Sequence, residues 1–265
     1  MTTIWGDGRL RGALRVLESE WTGYRRTWRG SVVSTFLTPI LYLSAMGLGL
    51  GTLVDRGAGT AHLEVGYLAF LAPGLLAASA MQTGAGDAAW PVMAGIKWRG
   101  TFNAVLATPI TVRDLVLGHL GWVTFRLALM GTWYAVVIHL FGVAPIGRTL
   151  LAVLPAILVG LAFSGPILAY TATVEDAQGL TNLFRFGLVP LFLFSGTFFP
   201  IEQLPDAVQP LAVITPLWHG AELVRSTVLG WSPAWPWWAH VAVLLGFLVV
   251  GTTLAIRQLQ RRLKP

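Results

Sequence analysis

Long apolar runs alternate with short polar stretches along this chain, a pattern that predicts helices crossing a membrane. Six runs come close to the ~20 residues that a bilayer requires. They cover residues 32–54, 67–85, 115–141, 150–174, 183–199 and 238–256, and the fifth is the shortest. The pattern therefore predicts an all-α integral membrane protein with six transmembrane helices in one domain, residues 31–256.

The two ends of the chain are polar and basic. Residues 1–29 lack the long apolar run of a signal peptide, so no cleavage is expected. Over residues 1–30 apolar side chains recur at helical spacing opposite a face rich in arginine, which predicts an amphipathic helix lying on an anionic leaflet, with a solvated basic tail as the alternative. The apolar positions are Leu10, Leu14, Leu17, Trp21, Tyr24 and Trp28. Residues 257–265 are predicted to form a basic cytosolic tail.

Composition agrees with a membrane protein. Hydrophobic residues make up 55% of the 265 and charged residues 11%, well below the roughly 25% charged residues of soluble domains. The sequence contains 12 Trp and no Cys. Tryptophan collects at membrane interfaces, and the lack of cysteine excludes disulfide and thiolate chemistry.

The net charge of +6 acquires meaning only when it is divided among the loops. Most of the Lys and Arg residues lie at the two ends and between the second and third apolar runs. The positive-inside rule then predicts that both termini and residues 88–114 are cytosolic and that residues 55–66 and 200–226 are outside. No nucleic-acid partner is expected.

The stretch 88–114 is too polar to span a membrane and too apolar for a plain loop. On a helical wheel Trp98 and Phe102 share an apolar arc, and Arg99 falls on the opposite side. Pro109 ends this helix, and Thr111 with Asp114 predicts a capping box that starts the next one. We expect a short cytosolic helix over about 88–107 that either docks a partner or floats among the headgroups.

A charge inside the third apolar run requires a partner or a wet cavity. Arg126 costs on the order of 2.5–3.5 kcal/mol there on insertion scales, so it should not face lipid. Glu175 and Asp176 are the nearest acidic candidates along the predicted cytosolic side. Arg126 is expected to tie helices together or to line a substrate path.

The stretch 195–225 is the second irregular region. Prolines 200, 205, 210 and 216 divide it into pieces too short to cross a bilayer, although it is too apolar for open water. We expect residues 197–226 to form a re-entrant segment at the outer face, either a gate or a lid packed over the bundle. Its candidate gate residues are Phe199, Pro200, Leu204, Pro205 and Trp218.

Catalytic motifs are absent from the sequence. The two lysines, Lys97 and Lys264, are not part of a GxxxxGK loop, so the chain should not bind ATP in that way. The five histidines are scattered singly, which disfavours a metal site. Ser164-Gly165 and Ser195-Gly196 lack the Gly-x-Ser-Gly setting of an intramembrane protease, and small residues in spans usually serve helix packing.

Both irregular stretches resemble the permease subunits of type-2 ABC exporters, the ABC-2 membrane proteins, and among these the nodulation-factor and drug-resistance permeases. One matching passage is LATPIT at 106–111 followed by RDLVLG at 113–118, with His119 where the family often has lysine. The other begins at Phe194-Ser195-Gly196, continues through Phe199-Pro200 and Leu204-Pro205, and includes Pro216 and Arg225. The resemblance covers essentially the whole chain.

The resemblance implies an ATP-driven exporter of a lipid-like or amphipathic substrate in a bacterial plasma membrane. Two copies of a separate ATPase subunit would carry ATP and Mg²⁺, and this chain would carry no cofactor and would pair with a second permease copy. Trp98, Arg99, Phe102 and Pro109 would then couple the permease to the ATPase. A non-transporting membrane scaffold that docks a soluble partner is the alternative, and a membrane enzyme comes third.

Overall fold

The computed structural model describes residues 8–50 and 65–263, and within these ranges every regular element is a helix. The helices are α1 (Gly8–Tyr42), α2 (Tyr67–Met93), α3 (Thr101–Leu106), α4 (Val112–Leu140), α5 (Ile146–Leu151), α6 (Val153–Thr171), α7 (Ala177–Asn182), α8 (Val189–Phe194), α9 (Gln209–Ile214), α10 (Pro216–Leu229) and α11 (Trp237–Leu263). Wider π-helical turns occupy Leu43–Leu50, Ala94–Trp98 and Leu183–Leu188, and a single 3-10 turn occupies Ile201–Gln203. The all-α prediction is confirmed.

Five stretches of the described residues are long and apolar enough to cross a membrane. They are Tyr67–Trp98, Val112–Leu140, Ile146–Thr171, Ala177–Phe194 and Trp237–Leu263. These coincide with the predicted second to sixth spans, with shifted ends. The first predicted span, 32–54, falls on the end of α1 and the π-helical turn after it, where Leu37–Met46 is a shorter apolar helix. Its last four residues lie outside the described part of the chain.

The centre of the bundle is the contact between α2 and α6, which small residues make possible. A Cβ atom at Gly84 would overlap the carbonyl oxygen of Gly160, so the two backbones meet where neither residue has a side chain. The Ser164 hydroxyl donates to the carbonyls of Gly160 (2.7 Å) and Gly84 (3.1 Å). Close approach through small residues replaces the hydrophobic effect as the source of helix association in lipid. Ser164 therefore has the packing role that the sequence indicated.

The N-terminal helix is longer than predicted. Of the helix expected over 1–30, residues 1–7 lie outside the described part of the chain, and from Gly8 the helix continues without a break to Tyr42 and packs against α4. The ring of Trp21 lies 5.4 Å from Phe125, and the ring of Tyr24 lies 5.3 Å from Trp122. Part of the aromatic face that was predicted to meet the headgroups thus packs against α4.

The segment 197–226, called the outer segment after its predicted location, folds back into the bundle. α10 has 14 residues, too few to cross a bilayer, and it packs against α2, α6 and α11. Thr215 caps its first turn and Gly230, at φ 77°, ends it in the left-handed region. Most of α10 is buried, as expected for a segment that enters the bundle without spanning it.

Candidate functional site

The chain reverses direction between α2 and α4 over a short connection, here called the reversal (residues 94–111). Gly100 adopts φ 62°, a left-handed conformation that glycine allows without strain, and the six-residue α3 follows it. Trp98 is 60% exposed, and Arg99 and Pro109 are also exposed. Large apolar side chains that stay exposed beside charges are typical of protein contact sites.

The capping box at the start of α4 is present as the sequence predicted. The Thr111 hydroxyl accepts from the backbone N–H of Asp114 (3.2 Å), and the Asp114 carboxylate accepts from the Thr111 backbone N–H (3.0 Å). Both free donors at the helix start are thereby satisfied. This fixes the direction in which α4 leaves the reversal.

Phe102 does not share the exposed face with Trp98, contrary to the helical-wheel prediction. Its side chain is 9% exposed and its ring lies against Gly95, where a Cβ atom would approach the ring carbons to 2.5 Å. Val92, Leu115 and Leu168 line the same site. The wheel assumed one regular helix from residue 88 to 106, whereas residues 88–93 end α2, a π-helical turn follows, and Gly100 breaks the helix. Phe102 thus anchors the reversal to the bundle.

Two cations and one carboxylate join the reversal to neighbouring helices. Lys97 Nζ lies 2.7 Å from Glu175, and Glu175 lies 3.7 Å from Arg262 of α11. Hydrogen bonding and charge from Lys97 lower the pKa of Glu175. Arg262 also donates to the carbonyls at the end of α6, those of Thr171, Ala172 and Val174, at 2.7–3.2 Å. The ends of α2, α6 and α11 are therefore linked beside the exposed Trp98.

Arg126 pairs with a residue that the sequence argument did not consider. Its Nε lies 3.2 Å from Asp87 Oδ2, within ion-pair range but without hydrogen-bond geometry. Neither of the two acidic candidates named from the sequence is its partner: Glu175 pairs with Lys97, and the Asp176 carboxylate accepts from the backbone N–H of Gly179. The Arg126 side chain remains 30% exposed. The arginine consequently has a partner on α2 and also an open side.

A histidine continues this polar cluster towards α1. His119 is 3% exposed, and its Nδ1 lies 3.4 Å from Glu20 while its Nε2 lies 3.0 Å from the backbone oxygen of Asp87. The cluster Glu20–His119–Asp87–Arg126 therefore connects α1, α2 and α4. Within this cluster, His119 is the residue that stands where the resembled family often has lysine.

The outer segment is organised by a buried arginine. Arg225 is 5% exposed, its Nη1 donates to Glu222 (3.0 Å), and its Nη2 donates to the carbonyl of Gly196 (2.9 Å). Its guanidinium also lies 3.9 Å from the centre of the Phe70 ring on α2. One side chain thereby fixes α10 to the loop before it and to the second span.

The five predicted gate residues are not all in one place. Pro200 and Trp218 line one cavity of about 440 Å³ with Arg225, here called the outer cavity because it lies in the outer segment. Leu204 is buried at 7% exposure, Phe199 is half-buried and Pro205 is exposed, and these three are outside the cavity lining. The structure thus brings two of the five together.

Three contacts escaped the sequence argument: those of Asp87 with Arg126, of Glu222 with Arg225, and of Glu20 with His119. Asp87 was placed outside the second span because that span was ended at residue 85, although the helical pattern of small and apolar residues continues through Val92. Glu222 and Arg225 stand three residues apart, the spacing of a helical ion pair, and this could have indicated their contact. Only the fold could bring Glu20 to His119.

Comparison with known proteins decides the family. The model of the family described as ABC-2 type transporter matches residues 13–229. The chain belongs to the ABC-2 type transporter family. It is 32% identical over 253 residues to nodulation protein J of Rhizobium meliloti (strain 1021), a match that covers 95% of this chain and 94% of that protein. Nodulation protein J of Rhizobium leguminosarum bv. viciae is 31% identical over 251 residues, covering 94% of each chain.

A more distant ABC-2 relative extends the comparison beyond nodulation proteins. The inner membrane transport permease YadH of Escherichia coli (strain K12) is 21% identical over 238 residues, covering 90% of each chain. Family membership and the five apolar helices together make the chain a multi-pass membrane permease of the ABC-2 type.

Proposed function

We propose that this permease is the membrane subunit of an ATP-driven exporter that moves a lipid-like or amphipathic molecule out of the cytoplasmic side of a bacterial plasma membrane. A glycolipid, a lipid-linked glycan and a hydrophobic drug all belong to this class. The chain itself binds no cofactor, and ATP with Mg²⁺ binds to a separate ATPase subunit, present in two copies. ABC-2 membership supports this division of work, as does the lack of a GxxxxGK loop in the sequence.

The observation that carries the proposal is the exposed pair Trp98 and Arg99 at the tip of the reversal. Tryptophan and arginine are the residues most enriched at the energetic centres of protein interfaces. A docked ATPase would contact them at one end of the bundle. Because Lys97 and Phe102 tie the same reversal to α2, α6 and α11, a movement of the ATPase would be transmitted to several helices at once.

A second permease copy is supported by the fifth span. Only 11% of the apolar window of Ala177–Phe194 is buried within the chain, the lowest share of the five spans. Its exposed residues include Phe186, Val189 and Phe194, together with one charge, Arg185. An arginine in an apolar helix costs free energy when it faces lipid. We therefore expect this face to pack against a second permease copy, with a water-filled path between the two copies. We therefore propose a homodimer.

In this proposal the substrate path runs from Arg126 within the bundle to the outer cavity. Arg126, open on one side, would meet the substrate within the bundle. The outer cavity, where Trp218 stands beside Glu222 and Arg225, offers both an aromatic surface and charges to an amphipathic molecule. Pro200 and Trp218 would form its gate.

Docking is tested by measuring vanadate-sensitive ATP hydrolysis that co-purifies with the tagged permease from a strain expressing its neighbouring genes. We expect Trp98→Ala and Arg99→Ala to lower this activity at least about tenfold, the effect of losing an interface anchor. Trp237→Ala is the matched control, because Trp237 is 66% exposed at the opposite end of the bundle. Unchanged activity in both reversal variants would disprove docking at the reversal.

Orientation is tested by cysteine labelling, which is simple in a chain without cysteine. On intact cells an impermeant maleimide should label a cysteine at exposed Asp206 of the outer segment but not one at Arg99. Permeabilised cells should show labelling at both positions. The opposite result would reverse the proposed orientation of the termini and of the docking face.

A further inference from the structure

A large groove lies between α4 and α11 and takes no part in the proposed coupling or gating. Its volume is about 770 Å³. Leu117 and Leu120 of α4, Leu161 of α6, and Leu248 and Ile256 of α11 form its apolar wall. A groove of this character between two membrane helices is suited to an acyl chain.

One end of the groove is strongly basic. Arg113 on the first turn of α4 and Arg257 near the end of α11 both line it, and Gln260 lies beside them. Both arginines are exposed, and neither has an ion pair or a hydrogen bond with the described residues. The two cations therefore lie at the mouth of an apolar groove without an ion-pair partner in the described part of the chain.

Thr252 provides a polar group deeper in the groove. The Thr252 hydroxyl is buried and has no hydrogen-bond partner among the described residues. The neighbouring Thr124 and Thr253 hydroxyls instead donate to carbonyls of their own helices, at 2.8 and 2.7 Å. Thr252 lies five residues before Arg257, about 7.5 Å along the helix axis. A buried hydroxyl without a partner is costly, so a ligand with an acceptor at this depth would satisfy it.

We propose that this groove is a binding site for one anionic phospholipid of the leaflet at the basic end of the bundle. The phosphate lies between Arg113 and Arg257, a glycerol ester carbonyl accepts from Thr252, and an acyl chain follows the apolar wall. Basic pockets between membrane helices bind anionic headgroups in this way. The charge complementarity selects a phospholipid over a protein helix, whose apolar surface would leave both arginines without a partner. This site is independent of the proposed export function.

The test is native mass spectrometry of the purified full-length permease in mixed micelles containing phosphatidylglycerol or phosphatidylcholine with identical acyl chains. We expect one phosphatidylglycerol to be retained about tenfold more tightly than phosphatidylcholine, consistent with two arginines near the headgroup. The double variant Arg113→Gln/Arg257→Gln should lose this preference. Thr252→Val should weaken retention of both lipids about threefold, the effect of one hydrogen bond.

Arg261→Gln is the control, because Arg261 is an exposed arginine on the same helix that does not line the groove. It should keep the full preference. An equal loss in this control would reduce the effect to general surface charge, and a double variant that still prefers phosphatidylglycerol would also overturn the proposal. A double variant that changes the oligomeric state while lipid retention stays constant would show that a second copy covers the groove instead.

Discussion

The reversal between α2 and α4 and the outer segment between α8 and α11 both interrupt the bundle, at its opposite ends. Trp98 in the reversal is 60% exposed, whereas Trp218 in the outer segment is 3% exposed. The arginines of the two regions differ in exposure in the same way. Arg99 is exposed, but Arg225 is buried and has partners on three sides. The reversal keeps its interaction groups free for a partner, while the outer segment uses the same residue types to hold itself together.

Because of this difference, mutations in the two regions should affect different properties of the protein. A change at the tip of the reversal should alter function without altering stability, whereas a change in the outer segment should alter stability first.

Arg225→Leu should destabilise the fold most. It removes the group that neutralises Glu222 and satisfies the carbonyl of Gly196, and breaking a buried ion pair on one side costs about 3–5 kcal/mol. The measurement is thermal unfolding of the purified permease and its folded yield from membranes. Arg148→Gln changes an exposed arginine at the same end of the bundle, so it should leave both quantities nearly unchanged. Equal behaviour of the two variants would contradict the structural role of Arg225.

Phe102→Ala and Trp98→Ala form a matched pair within the reversal. The buried ring at Phe102 fills space beside Gly95, so its loss should destabilise the protein by about 3 kcal/mol. The exposed ring at Trp98 should contribute less than about 0.5 kcal/mol to stability. Thermal unfolding measures both changes.

The co-purifying ATPase activity should rank the same two variants in the opposite order, with Trp98→Ala the more affected. Trp98→Ala should abolish most co-purifying ATPase activity in a fully stable protein, whereas Phe102→Ala should lose activity only in proportion to the folded protein that is lost. If Trp98→Ala proved the less stable variant, the assignment of the two rings to partner and bundle would be wrong.

Arg126→Leu should affect transport more than expression, since its partner Asp87 is then left without a cation. A double-mutant cycle with Asp87→Asn should give a coupling of about 0.5–3 kcal/mol. The partial exposure of Arg126 places the effect below that of Arg225. Substrate export and ATPase stimulation are measured on equal amounts of inserted protein. Full export by Arg126→Leu would exclude a role for Arg126 on the path.

The sequence predicted those features that depend on short-range chemistry. Apolar length located the second to sixth spans, and the Thr111–Asp114 cap was predicted because its partners are three residues apart. Prediction from the sequence failed for contacts that join helices distant along the chain. The partner of Arg126 does not follow from spacing because Asp87 lies on another helix. The burial of Phe102 does not follow because a π-helical turn and the left-handed Gly100 change the direction of its side chain from that of a regular helix.

The same limit explains the N-terminal helix. Its amphipathic pattern indicates that one face is apolar, but the pattern is identical whether that face meets lipid or another helix. The rings of Trp122 and Phe125 on α4 decide the outcome. A hydrophobic face thus predicts burial, and only the tertiary structure identifies what covers it.

The smallest predicted effect concerns Glu175, which ties the reversal to α11. Lys97 lowers the pKa of this carboxylate below its ordinary value, so its contribution to stability is fully present above the unfolded-state pKa and is lost as the pH falls through the lower folded-state pKa. Glu175→Gln should therefore lower the unfolding temperature slightly near pH 7. In acid, where the wild-type carboxylate is protonated, the two proteins should unfold at the same temperature.

Salt provides the independent check on this contact, because Glu175 is exposed and exposed ion pairs are screened. High salt at pH 7 should reduce the difference between wild type and Glu175→Gln. Glu18→Gln, which changes an exposed glutamate of α1 that forms no ion pair with the described residues, should show neither the pH dependence nor the salt dependence. A difference between wild type and Glu175→Gln that persisted unchanged in acid and in high salt would show that the side chain acts through packing and not through its charge.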